Sequence, residues 1–294
     1  MASILVTGSK GQLGTELSLI AGDYPQHQLT FTDVEELDII NEKSVRDFFS
    51  KNNFDFCINC AAYTAVDKAE SDMESAFNLN TAAVFNLAQI TNELNIRLIH
   101  ISTDFVFDGK KSKPYTEDDI PSPLNIYGKS KWRGEEACFQ QNSKSIIIRT
   151  SWLYSPFGVN FVKTMQRLGR ERTEIGVIYD QIGTPTYAHD LAQALMEIVS
   201  KHPENPVSGI FHYSNEGVCS WYDFAVAIMQ LNGLSCNIKP LETIEYPTPA
   251  KRGPYSVLNK KKIKTTFGLT IPHWRDSLQK CIERINAEAA VGSK

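Results

Sequence analysis

Strand-like and helix-like segments alternate through the first half of this 294-residue chain, a glycine-rich turn joins the first strand to the first helix, and several strand segments are apolar without a break. These observations predict an α/β protein: a doubly wound parallel sheet with helices on both faces and a smaller C-terminal lobe. Strands of a parallel sheet are buried on both faces, so they read as continuous apolar runs. Ile146-Ile147-Ile148 is such a run.

Ser3–Thr7 is the first strand, and Gln12–Ala21 the first helix, because Leu13, Leu17 and Ile20 recur at helical spacing. Gln28–Thr32 is the second strand. Glu42–Lys51 is a helix with Val45, Phe48 and Phe49 on one face, and Phe54–Asn59 is the third strand. From Met73 to Leu94 the residues Ala76, Leu79, Ala83, Leu87 and Ile90 step by three or four, which predicts one long helix. Arg97–Ser102 is the fourth strand, Tyr127–Phe139 a helix and Ser145–Thr150 the fifth strand. Beyond Thr150, prolines and aromatic residues interrupt the alternation, with helices expected at Tyr187–Ser200, Trp221–Leu231 and Trp274–Ala287. A division near residue 150 follows, with residues 151–294 forming mostly a second lobe and some chain free to return to the first.

Composition excludes several function classes. Hydrophobic residues make up 42% and charged residues 22%, which supplies a sizeable core. Thirty basic against 34 acidic residues leave a net charge of −4, so no basic face for nucleic acid is expected. No apolar run approaches the ~20 residues of a membrane span. Met1-Ala-Ser-Ile-Leu-Val enters a strand with no basic n-region, so no signal peptide is expected. The six cysteines, at 57, 60, 138, 219, 236 and 281, are too sparse for a disulfide framework. Cys57 and Cys60 have CxxC spacing but lie in a strand, whereas a redox pair wants a helix N-terminus. They read as buried thiols of a reducing, cytoplasmic compartment.

The turn Thr7-Gly8-Ser-Lys-Gly11-Gln-Leu-Gly14 stands between the first strand and helix. Gly8 permits the sharp turn, Gly11 lets the backbone approach a diphosphate, and Gly14 lets helix and strand pack closely. The helix N-terminus adds free N–H groups and a positive dipole end. Nineteen residues after Gly14, Asp33 ends the second strand. A carboxylate there suits a ribose 2′-hydroxyl and repels a 2′-phosphate, which favours NADH over NADPH. Lys10 offsets part of that preference. The fold is therefore Rossmann-like, with residues 1–150 as the NAD(P)-binding domain.

The fourth strand runs into Ser102-Thr103-Asp104, at the edge where such sheets bind ligands. Tyr127 and Lys131 are four residues apart and share one helix face. A phenol is a weak acid, and an ammonium group beside it lowers its pKa toward the range useful for proton transfer. A hydroxyl from Thr103 can bond the same carbonyl oxygen.

Beyond these motifs, Gly8–Leu17 (GSKGQLGTEL), Asn59–Glu70 (NCAAYTAVDKAE), Ser102–Gly109 (STDFVFDG), Pro123–Lys131 (PLNIYGKSK), Arg149–Tyr154 (RTSWLY), Gly183–Tyr187 (GTPTY) and Tyr246–Ala250 (YPTPA) resemble the dTDP-4-dehydrorhamnose reductase family of extended short-chain dehydrogenases/reductases. The resemblance implies reduction of the C4 ketone of dTDP-4-dehydro-β-L-rhamnose with NADPH or NADH. It implies Thr103, Tyr127 and Lys131 as the catalytic trio. Gly11, Gln12 and Leu13 would line the pyrophosphate, Asp33, Asp38 and Ile39 the adenosine end, and Ala62, Tyr63 and Thr64 the cofactor's border. Asp104 and Trp152 would meet the sugar and Arg252 the substrate diphosphate, so that the second lobe would bind a sugar nucleotide. The family has Arg-Pro where this chain has Arg252-Gly253-Pro254. A homodimer is expected. Some members hold Mg2+ through carboxylates at a dimer contact. Glu16 matches one position, but Asp190 stands where that pattern has Glu, and no metal is expected. Two other readings stay open: a sugar-nucleotide epimerase or 4,6-dehydratase on the same fold, and a non-catalytic regulatory subunit of the methionine adenosyltransferase type. Dehydratases place Asp-Glu after the strand-four Thr, whereas Phe105 follows Asp104 here.

Overall fold

In a computed structural model, which describes residues 1–201 and 207–292, β1 (Ala2–Thr7), β2 (His27–Thr32), β3 (Phe56–Asn59), β4 (Arg97–Thr103), β5 (Ile146–Thr150) and β6 (Gly209–His212) form one sheet. The order is β6-β5-β4-β3-β1-β2 and every neighbouring pair is parallel. Chain order reverses between β1 and β3, and a ligand crevice belongs at the carboxyl ends of the strands there. β6 comes from the second half of the chain and sets Phe211 beside Ile148. Its four residues are too short to show a periodicity in the sequence.

Along β1 the side chains alternate between two cores, as a strand requires. Ile4 and Val6 pack with Leu13 and Leu17 of α1 (Gln12–Ile20) and with Leu191 and Leu195 of the helix Ala188–Lys201. Leu5 packs with Val45 and Phe49 of α2 (Glu42–Lys51) and with Leu87 and Ile90 of α3 (Ala83–Glu93). The predicted long helix over 73–94 is continuous but not uniform: a π-turn at Asn78–Ala82 separates Met73–Phe77 from α3. Wide turns of this kind concentrate at functional sites. Here the turn holds buried Asn80, which bonds the backbone of Tyr63 and the hydroxyl of Ser130 on α4 (Ile126–Gln141).

The second lobe packs the helices Phe161–Glu171, Trp221–Leu231 and Trp274–Gly292 around the paired strands Glu174–Ile178 and Asn237–Leu241. Val162, Met165, Phe224, Ile228 and Leu278 form its core. Val162, Met165 and Leu168 step by three along the first of these helices. No described helix is long and apolar enough to cross a membrane. All six cysteines are free, and burial pushes the Cys57 thiol up and that of Cys60 up to about 12.

Candidate active site

The glycine turn sits at the carboxyl end of β1. Gly8 has φ +67°, a left-handed conformation that side chains disfavour. A Cβ there would stand 2.6 Å from the Ala61 nitrogen and 2.7 Å from its Cα. Gly8→Ala is therefore expected to cost about 2–5 kcal/mol, the sum of backbone strain and overpacking. Denaturant melts check this, and unchanged stability contradicts it. The N-cap of α1 is Gly11, and no side chain caps it. The first N–H groups of the helix are thus available to an anion.

A cavity of about 930 Å³ opens beside this turn. Its wall includes Gly8, Gly11, Gln12, Leu13 and Gly14, then Asp33, Asp38 and Ile39, then Ala62 and Thr64. Thr103, Asp104, Tyr127, Lys131 and Trp152 border the same space. Two expected residues stand elsewhere. Tyr63 turns away, and its hydroxyl donates to Asp72 at 3.0 Å. Arg252 borders a smaller adjoining cavity. A loop from the second half closes one side: the Gln12 side-chain oxygen accepts from Ser155 at 3.1 Å and Asn160 at 2.9 Å. Such a polar loop gives no signal in the sequence. Where Asp33 borders the cavity, it accepts the Lys10 backbone N–H at 2.9 Å, while the Lys10 ammonium pairs with Glu35 at 2.8 Å. The loop, the uncapped helix end and the elongated cavity fit a dinucleotide.

Thr103, Tyr127 and Lys131 are all buried. Tyr127 is 8% exposed, and burial pushes its phenol up to about 12, a rise the Thr103 hydroxyl bonded to it opposes. Its ring stands edge-on to Phe105, with centroids 5.4 Å apart. Burial lowers Lys131 to about 8. Its amine donates to the Ile101 carbonyl at 2.7 Å and lies 3.3 Å from His100 Nε2. The Thr103 hydroxyl donates its proton to Asp104 at 3.1 Å.

The smaller cavity, about 50 Å³, is bordered by Asp104, Trp152, Trp221, Arg252, Gly253 and Ser256 among others. Trp152 has φ +49° and stacks on Trp221 at 3.6 Å. Trp221 was not legible as a site residue, since its helix spacing reads as core. Arg252 is engaged by a fork of two bonds, at 3.0 and 2.8 Å, with the Asp67 carboxylate. The inserted Gly253 has a steric reason: a Cβ on it would lie 2.7 Å from the Gly109 Cα. Burial raises Asp104 to about 6, against bonds from Ser256 and Thr103 that lower it. Between about pH 4 and 6 the folded chain holds this proton more tightly than the unfolded chain, so stability falls as pH rises through that window. Asp104→Asn is expected to flatten that segment of the stability–pH curve, and an unaltered curve contradicts the assignment.

Glu16 and Asp190 are both tied up inside the chain. Both Glu16 oxygens accept from Arg284 at 3.0 Å, and His189 lies 3.0 Å away. Asp190 accepts from Asn215 at 2.6 Å and from Ser277. A guanidinium already occupies the place of a cation on Glu16, so this pair does not fit a metal.

A model of the RmlD substrate-binding domain matches residues 1–287. The chain is 41% identical over 285 residues to the spore coat polysaccharide biosynthesis protein SpsK of Bacillus subtilis, with 96% of this chain and 98% of that one covered. It is also 41% identical over 288 residues to a dTDP-4-dehydrorhamnose reductase of Aggregatibacter actinomycetemcomitans, covering 95% and 98%. A crystal structure of such a reductase from Clostridium acetobutylicum superposes with a TM-score of 0.92 at 41% identity, covering 97% and 99%. The Bacillus anthracis reductase in complex with NADP gives 0.90 at 36% identity, covering 96% and 99%. With one family model spanning nearly its whole length and relatives alike from end to end, the chain belongs to the RmlD family, that of the dTDP-4-dehydrorhamnose reductases within the extended short-chain dehydrogenases/reductases.

Proposed function

We propose that this chain reduces the C4 ketone of dTDP-4-dehydro-β-L-rhamnose to dTDP-L-rhamnose. The observation that carries this reading is the meeting of Thr103, Tyr127 and Lys131 with the glycine turn on one cavity, in a chain of this family. A reduced nicotinamide, when bound, supplies the hydride. The uncapped end of α1 holds the cofactor's diphosphate, and Asp33, with Glu35 and Glu36 beside it, favours NADH at the adenosine ribose. Thr103 donates a hydrogen bond to the C4 oxygen and polarises the carbonyl. Tyr127 gives its proton to that oxygen as negative charge develops. Lys131 holds the nicotinamide ribose. On the sugar side Trp152, braced by Trp221, forms an apolar wall, and Asp104 receives a hydroxyl.

Arg252 meets the substrate diphosphate by exchanging its fork from Asp67 to the phosphates, a geometry that suits a guanidinium. Net consumption of reduced cofactor with release of the oxidised form supports the reductase. A tightly held cofactor that is never consumed supports an epimerase or dehydratase instead. Failure to oxidise either cofactor with any keto-sugar nucleotide, together with co-purification of a partner enzyme, supports the regulatory reading.

A further inference from the structure

Three aromatic rings lead from the loop beside the glycine turn to the wall of the smaller cavity. Trp152 borders both cavities. Its ring stacks on Trp221 at 3.6 Å, with 9° between the planes. Phe161 stands tilted against Trp221 at 4.7 Å. It opens the helix Phe161–Glu171 and borders neither cavity. The residue before it, Asn160, caps that helix by accepting the Lys163 N–H at 3.2 Å. Asn160 also donates to Gln12 at 2.9 Å, and Ser155 donates to the same oxygen at 3.1 Å. Gln12 lies in the first turn of α1, whose N–H groups are open to an anion. Gly158, Val159 and Asn160 border the larger cavity, and Val159 is 91% exposed.

Trp152 does not rest on a relaxed backbone. Its φ of +49° lies in the left-handed region, which is uncommon for a bulky residue. Such a conformation persists only where the surroundings over-determine it. The Thr186 N–H donates to the Trp152 carbonyl at 3.2 Å. A Cβ on Gly183 would stand 2.6 Å from Cε2 and Cζ2 of the Trp152 ring. Gly183 pairs with Cys219 across two short antiparallel strands, and the second of them, Cys219–Ser220, runs directly into Trp221. The place of the Trp152 ring thus depends on Trp221, and that of Trp221 on the ring of Phe161.

We propose that Phe161 is a positioning residue that couples the two halves of the site: a dinucleotide on the glycine turn fixes the loop over 155–160, and the loop, through Phe161 and Trp221, fixes Trp152 for the sugar. A diphosphate on the N–H groups of α1 holds Gln12, the anchor of the loop, and the bound molecule covers the apolar side chain of Val159. Ordering the loop and the aromatic stack costs conformational entropy. The first ligand bears that cost, so the second binds more tightly, and by linkage the effect is mutual. Phe161 touches neither ligand in this scheme. Its effect on the sugar rests on the function proposed above.

The test uses ADP-ribose, which carries the adenosine and diphosphate of the cofactor without the nicotinamide and so does not reach the sugar. Calorimetry measures dTDP-L-rhamnose binding with and without saturating ADP-ribose. ADP-ribose is expected to tighten it about fivefold or more, the lower end of ordinary coupling. Phe161→Leu keeps an apolar side chain and removes the ring. It is expected to bring that factor close to one while each ligand alone binds as before, and Phe161→Tyr, which keeps the ring, is expected to retain the factor. A merely structural Phe161 lowers stability, or weakens both ligands alone, and leaves the factor unchanged. No tightening in the unmodified chain overturns the proposal, as does a factor that survives in folded Phe161→Leu. Tryptophan emission is the second readout: bound ADP-ribose is expected to shift it in the unmodified chain and not in Trp152→Phe. An emission that bound ADP-ribose leaves unchanged overturns the proposal, and this readout decides if Phe161→Leu does not fold. It needs no sugar nucleotide, so a shifted emission without dTDP-L-rhamnose binding upholds the coupling and overturns the reductase reading instead.

Discussion

Tyr127→Phe is expected to lower kcat by about 10²–10⁴-fold, the usual span for removing a positioned general acid, while leaving nicotinamide binding intact. The ring is retained, and its edge-on contact with Phe105 depends on the ring alone. The lost atom is the hydroxyl that Thr103 bonds. With the phenol pushed up to about 12, Tyr127 keeps its proton across the neutral range, so it is loaded for delivery to an alkoxide. The Lys131 nitrogen is engaged with the Ile101 carbonyl at 2.7 Å and lies 3.3 Å from His100 Nε2. In the ligand-free chain the Thr103 hydroxyl is what opposes the rise. Steady-state turnover and a cofactor titration on the same variant separate the two effects. Near-normal turnover contradicts the role of Tyr127, and lost cofactor binding shows that the change acted on the fold.

Glu135→Leu is expected to destabilise the chain by about 3–5 kcal/mol, the cost of leaving a buried charge without its partner. Glu135 and Arg149 are 3% and 1% exposed and share two bonds, at 2.9 and 2.6 Å. The Ser102 hydroxyl donates to the same carboxylate at 2.5 Å. Removing the carboxylate strands the guanidinium against the Phe107 ring, its centroid 5.0 Å away, and leaves Ser102 without an acceptor. The register pairs Ser102 with Arg149 and Thr103 with Thr150, so the disturbance lies one residue from Thr103 at the strand end. Denaturant melts measure the loss. Pairing Glu135→Leu with Arg149→Met is expected to restore most of it, because an apolar pair of similar volume has no charge to desolvate. A single variant as stable as the parent contradicts this account.

What was legible in the sequence follows from the range of the interactions that produce it. The glycine turn, the strand ends and the helical step from Tyr127 to Lys131 are local patterns, and the structure gathers them on one cavity. β6 was not legible because four residues that begin with a glycine carry no period, and only its pairing with β5 makes it a strand. Three features of the site depend on contacts between residues far apart in sequence. Arg252 is engaged by Asp67, Trp152 stacks on Trp221, and the loop over 155–160 bonds Gln12. Spacing cannot reveal such contacts. His100 lay within an apolar strand, and its relation to Lys131 exists only once β4 and α4 are packed together.

The central claim is that hydride passes to C4 of a keto-sugar nucleotide within this cavity. The direct measurement supplies enzymatically generated dTDP-4-dehydrorhamnose and a reduced nicotinamide cofactor deuterated at both C4 positions, in NADH and NADPH forms separately, and examines the product by mass and NMR. The account predicts dTDP-L-rhamnose with deuterium at its C4, one oxidised cofactor released for each sugar reduced, and faster turnover with NADH. Product without deuterium at C4, or sugar converted with no net loss of reduced cofactor, would contradict it.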